Sequence, residues 1–210
     1  MPRYPSVHAL ARAERSEFVA LLQDLTPQQW DAPSLCRGWT VRDVVAHTVA
    51  YLGQSRIELA AKMIRARGDI DRLNACGLAK HADATPEELM RQMRAGVEPS
   101  GAAALYRGRV ALIECLIHQQ DIRRPLGLPR IIPADRLRAA LSYARISPVI
   151  GGAQRTRGLR LIATDTDWSA GVGAELRGPG EALLLAMTGR AGAVADELTG
   201  PGCAELRRRG

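Results

Sequence analysis

A mainly helical protein, an up-and-down bundle followed by a small α+β part, is predicted by three observations. Apolar residues recur at helical spacing in several segments before residue 150. The connections between these segments are short and marked by Pro and Gly, and after Gly151-Gly152 the pattern changes to strand-like alternation. The reading divides the chain into a helical bundle over 1–150 and a small α+β domain over 151–210.

The first helix runs from Val7 to about residue 24, with Val7, Leu10, Ala11, Phe18, Leu21, Leu22 and Leu25 on its apolar side, and Thr26-Pro27 closes it. A Pro- and Gly-containing connection follows through Trp39. The second helix starts at Val41, where Thr40 caps, Asp43 reaches back as a short capping box and Trp39 staples onto Val44; it is expected to run past Leu59 toward Arg65. Thr85-Pro86-Glu87-Glu88 opens a third helix to about Met93, with a cap, a proline at the first position and acids at the positive dipole end. Ala102 to Arg123 reads as a fourth helix ended by Pro125 and Gly127, and Ala134 to Ile146 as a fifth. Beyond the glycine pair, 158–164 and 174–177 are strand candidates separated by the 165–169 turn, and Pro179-Gly180-Glu181 opens a last helix through Met187 that Gly189 terminates.

The 210 residues suffice for one large domain with an appendage, and 46% hydrophobic with 24% charged residues is an ordinary globular composition. No run of about 18 uncharged apolar residues is present to span a bilayer. The start of the chain lacks the apolar stretch of about 7 to 15 residues that a signal peptide needs. Cys36, Cys76, Cys115 and Cys203 are scattered without CxxC pairing, so a reduced, cytoplasmic protein is expected. Lys and Arg total 29 against 22 Asp and Glu, for a net charge of +7, and the only lysines are Lys62 and Lys80. The charge is interspersed except at Arg207, Arg208 and Arg209, and three Trp, four Tyr and one Phe make no series on which bases could stack. Neither a membrane nor a nucleic acid is the expected partner.

Within the otherwise apolar Val110–Ile117 stretch, Glu114 is followed by His118 and Asp121, and the spacing i, i+4, i+7 puts all three within a stripe about 60° wide. A helix apolar nearly all round is buried, and a buried carboxylate needs a charge, a metal or several donors. His47 interrupts the apolar stripe of the second helix in the same way. Taken singly, such residues are most often a polar stripe or a satisfied core histidine. Together, two His and one Glu on adjacent bundle helices make a three-ligand set with positions left open, as in catalytic zinc sites. Asp121 is placed either to orient a ligating imidazole or to pair with Arg123 or Arg124. Cys36 precedes the second helix with no histidine near it in sequence and reads as an inert, buried thiol. Trp30 and Trp39 read as packing anchors, and His8 and His81 carry no assigned role.

The segments Trp30 to His47 (WDAPSLCRGWTVRDVVAH) and Glu114 to Gly127 (ECLIHQQDIRRPLG) resemble the two signature segments of the mycothiol-dependent maleylpyruvate isomerase family, within the DinB/YfiT-like superfamily. The GPGEALLLAMTGR stretch resembles that family's small terminal domain, which is similar to sterol-carrier folds. The resemblance implies a DinB-like four-helix bundle that holds a divalent metal, usually zinc, through His47, Glu114 and His118. It also implies an arginine of the terminal domain near the active site, for which Arg190 is the match.

An ion held by two imidazoles and one carboxylate with an open position is a Lewis acid that lowers the pKa of a bound thiol or water. The resemblance points to the thiol: mycothiol would coordinate as thiolate and attack a small electrophilic substrate, giving S-transfer or thiol-assisted isomerisation. Two other readings remain, a metal-dependent hydrolase that uses bound water and a non-enzymatic metal- or ligand-binding protein.

Overall fold

Ser6 accepts the amide of Ala9 at 3.2 Å and so starts α1 (Val7–Gln23), whose Phe18, Leu21 and Leu22 are buried in the core. Phe18 is the only Phe in the chain and is fully enclosed, which contributes about 1.5–3 kcal/mol. These positions come from a computed structural model that describes residues 5–52, 54–67, 72, 77–81 and 83–209. The chain divides between Pro129 and Arg130 into two compact units.

In the first unit, α1 is followed by a single turn, Pro27–Trp30, closed by a Thr26/Gln29 capping box, and by a loop pinned at the Pro33–Thr40 bridge. Helix α2 (Val41–Leu52) begins at the expected cap: the Thr40 amide donates to Asp43 Oδ2 at 2.8 Å and the Asp43 amide to Thr40 Oγ1 at 3.2 Å. It does not run on toward Arg65. Ser55 caps a separate helix, α3 (Arg56–Arg65), in a capping box with Glu58, and α3 buries none of its side chains fully. Helix α4 (Pro86–Ala95) starts at Thr85 as expected.

The fourth predicted helix also begins later than expected. Tyr106, Arg107 and Gly108 have φ of 52°, 63° and 90°, which ends the preceding 3-10 turn, and α5 (Arg109–Arg123) starts after them. A Cβ on Gly108 would lie 3.0 Å from the Cα of His8, so α1 passes too close there for any side chain. Helix α1 packs on α4 and α5, and α2 packs on the same pair. The four close a ring around a core that includes Phe18, Leu22, Val44, Leu89, Met93 and Ile122.

The second unit holds α6 (Ala134–Ile146), a three-stranded sheet and α7 (Gly180–Met187). Strands β1 (Leu159–Ala163), β2 (Ser169–Ala170) and β3 (Ala174–Gly178) lie in the order β2-β1-β3, with β1 antiparallel to β2 and parallel to β3. Leu159 and Leu161 of β1 and Leu176 of β3 are buried, while Arg160 and Arg177 point outward. Helix α7 is apolar all round because it is covered on both sides, packing on α6 and on the sheet. That packing is why the division falls one helix earlier than the glycine pair: α6 belongs with α7, and Gly180 approaches Leu137 so closely that a Cβ would sit 2.8 Å from Leu137 Cδ2. Asp165 accepts the Gly180 amide at 2.8 Å at the start of α7.

A matched pair of substitutions tests the Gly108 contact. Gly127 also has positive φ, +65°, but a Cβ there meets nothing within 4 Å. Gly127→Ala is expected to lower urea-unfolding stability by about 1 kcal/mol, the conformational part alone, and Gly108→Ala by more. Equal losses would remove the steric argument.

Candidate metal centre

Helix α5 turns one polar stripe into the bundle. His118 is 9% exposed and Asp121 is fully buried, with Glu114 one turn before His118 and partly buried. His47 of α2 is 7% exposed and faces His118 with ring centroids 4.8 Å apart at 81°. The donor atoms of His47, Glu114 and His118 all lie within 4.8 Å of one another. The structure therefore brings together the three residues that the resemblance singles out.

Asp121 sits on His118. Its Oδ2 accepts from His118 Nδ1 at 2.9 Å, so Nε2 is the ring atom that could serve as a ligand. The same Oδ2 accepts the Cys36 thiol at 3.2 Å, and the Leu35 amide donates to the Asp121 main-chain oxygen at 3.0 Å. Cys36 is accordingly not remote from histidine, as its place in the sequence suggests: the loop before α2 folds back on α5, and Cys36, His118 and Asp121 form a second set of donor atoms within 4.8 Å. An ion in that set would have to replace the 2.9 Å bond between His118 and Asp121, whereas the His47, Glu114 and His118 set leaves it intact.

His47 is held between rings, with Trp39 at 5.2 Å and Tyr51 at 5.1 Å. Trp39 is half-buried against the bundle core, as a packing anchor should be, and it also forms one wall of the imidazole's slot. Tyr51 is a residue that sequence reasoning passes over, although its place four residues after His47 on one helix face is the available signal. Burial and the nearby charge of Glu114 push its phenol well above the usual tyrosine range, so the hydroxyl is retained as a donor beside the carboxylate.

Burial also pushes the Glu114 carboxyl upward, against the pull of His118 and Arg15. Arg15 is itself buried on α1 and donates from Nη1 to the Gly96 carbonyl at 2.7 Å. Beside it, Gln119 donates to Glu14 Oε1 at 2.6 Å, so the face of α5 toward α1 carries a second, hydrogen-bonded polar layer. The donor set, two imidazoles and a carboxylate around a compact space, has the chemistry that binds zinc and similar divalent ions. Arg190 lies in the second unit, where its Nη1 donates to the Thr188 carbonyl at 2.6 Å at the end of α7.

The fold and site define a class: a four-helix bundle with a His, Glu and His donor cluster between two of its helices, followed by a small α+β unit. Residues 11–107 match the family model described as the mycothiol maleylpyruvate isomerase N-terminal domain. The matched segment contains Cys36 and His47. The crystal structure of the mycothiol-dependent maleylpyruvate isomerase superposes with a TM-score of 0.60 at 20% identity, covering 93% of this chain and 91% of that one. A histidine-to-alanine mutant of that isomerase gives 0.56 at 16% identity with the same coverage. No curated protein matches. Among the described residues, no helix is long and apolar enough to cross a membrane.

Cys115, next to Glu114 on the fully buried side of α5, has its thiol pushed up to about 12, chiefly by burial. Iodoacetamide at about pH 8 is expected to leave Cys115 unmodified in the folded protein and to label it only after unfolding. Peptide mass spectrometry showing labelled Cys115 in the native protein would contradict this burial.

Proposed function

We propose that the protein is a metal-dependent enzyme of thiol chemistry, with His47, Glu114 and His118 as the ligands of a divalent ion, zinc by its donor chemistry, and mycothiol as the thiol co-substrate. The observation that carries the proposal is the convergence of the three donor groups within 4.8 Å from two different helices. A bound ion in such a site supplies Lewis acidity, which lowers the pKa of a thiol and polarises an electrophile. The family match over 11–107 supports mycothiol as that thiol and isomerisation as the outcome, with S-transfer to a small electrophile as the related reaction of the same site.

The chain's own residues divide the remaining work. Asp121 holds the His118 ring in the tautomer that turns Nε2 toward the cluster. Trp39 and Tyr51 pack their rings against the His47 ring. The Cys36 thiol stays on Asp121, which makes it a tether of the loop and not the attacking sulfur.

Protein purified without chelator or a His tag is expected to hold about one divalent ion per chain by elemental analysis, and His118→Ala to lose it. Asp121→Asn, which keeps the shape but weakens the hold on His118, is expected to reduce metal affinity by about 10- to 100-fold. Consumption of a low-molecular-weight thiol with monochlorobimane should be faster with the wild type than without protein. A wild type that takes up no ion even after reconstitution with zinc would sink the metal reading; uptake with no thiol activity would leave the hydrolase.

A further inference from the structure

All but two of the 29 basic side chains are arginine, and the two lysines, Lys62 and Lys80, line the same pair of adjoining cavities. Lys62 reaches them from α3 and Lys80 from the segment before α4. The cavities measure about 420 and 220 Å³, and Val49, Ala50, Leu52 and Ala66 supply apolar wall. An arginine keeps its proton at any working pH and is no nucleophile, whereas a lysine that sheds its proton is one. The place where the chain departs from arginine is thus a place where an amine can react.

Lys62 is half-buried and Lys80 exposed, and among the described residues neither makes an ion pair or a hydrogen bond. Glu58 of α3 faces both lysines, but its carboxylate accepts the Ser55 amide at 2.7 Å in the capping box. Tyr51, Arg65, Arg72 and His81 complete the ionisable lining of the two cavities. Burial and the charge of Lys80 push the Lys62 ammonium below its ordinary range and outweigh the pull of Glu58. A partly desolvated amine beside a second cation is the arrangement that makes a lysine reactive toward carbonyl groups.

We propose that Lys62 captures a small aldehyde that carries a carboxylate, as a reversible imine, with Lys80 receiving the carboxylate. The neutral Nζ attacks the carbonyl carbon, the two amine protons leave with the carbonyl oxygen as water, and a C=N bond remains. Water added back along the same path releases the aldehyde, so the step needs no oxidant or reductant. The aldehyde class follows from the half-burial of Lys62, because an aldehyde carbon has an open side that a ketone carbon lacks. The carboxylate follows from Lys80, a compact, flexible charge lining the same cavities. The site stands whether or not His47, Glu114 and His118 hold an ion.

Incubation of the full chain with glyoxylate and cyanoborohydride, which reduces an imine to a stable secondary amine, tests this by peptide mass spectrometry. Each rate is taken relative to the same lysine in the chain unfolded in guanidinium. At about pH 8 the carboxymethyl adduct is expected on Lys62 about tenfold or more faster than on Lys80, which serves as the reference in the same sample. Lys80→Gln, at an exposed position, is expected to slow the labelling of Lys62 several-fold, and His118→Ala to leave it unchanged. Glycolaldehyde, which has no carboxylate, is expected to gain less from the folded state than glyoxylate does. Equal labelling of the two lysines, or no gain at Lys62 on folding, would overturn the proposal, as would loss of the adduct in His118→Ala. An equal gain for glycolaldehyde, or labelling indifferent to Lys80→Gln, would overturn the role of Lys80.

Discussion

One buried carboxylate ties the site to the fold. Asp121 has no exposed surface, yet its Oδ2 accepts from both His118 and Cys36, while its backbone oxygen accepts from Leu35. A carboxylate removed from water is expensive unless donors replace the solvent, and here the donors come from two parts of the chain that are far apart in sequence. The Cys36 and Leu35 bonds also clamp the loop before α2 against α5. The positions of α2, and therefore of His47, relative to His118 follow from that clamp.

The rest of the bundle is arranged so that α5 can carry so much polarity. Its other flank meets α1, where Glu14 and Gln119 satisfy each other and Arg15 reaches the Gly96 carbonyl past the Cys115 side. Apolar packing by Phe18, Leu22, Val44, Leu89 and Met93 fills the space around these layers. Buried polar networks of this kind stabilise only when their members are paired, and they then specify one register of the helices where an apolar interface would allow several. An imidazole pair at 4.8 Å demands that precision.

The sequence reads well where the information is local. The Thr40/Asp43 box, the Thr85 cap, the α6 limits and the burial of Leu159 and Leu161 all follow from spacing and capping chemistry within a few residues. The break after Leu52 is equally local: Ser55 and Glu58 form the S-x-x-E pattern of a helix start, hidden by the apolar periodicity that continues through it. The late start of α5 is different, because Tyr106 and Arg107 are not residues that announce a left-handed backbone, and the cause lies in the approach of α1 at His8. The convergence of His47, Glu114 and His118 is legible only through the family resemblance, since periodicity gives the face of each helix and not which helices are neighbours. Cys36 shows the limit most clearly. Its contact spans 85 residues, and nothing near it in the chain indicates a carboxylate or a histidine.

The matched segment, 11–107, includes Cys36 and His47 but stops before Glu114, His118 and Asp121, so two of the three donor residues lie beyond it. Those residues reach the cluster because α5 packs between α1 and α2, which is a property of the bundle.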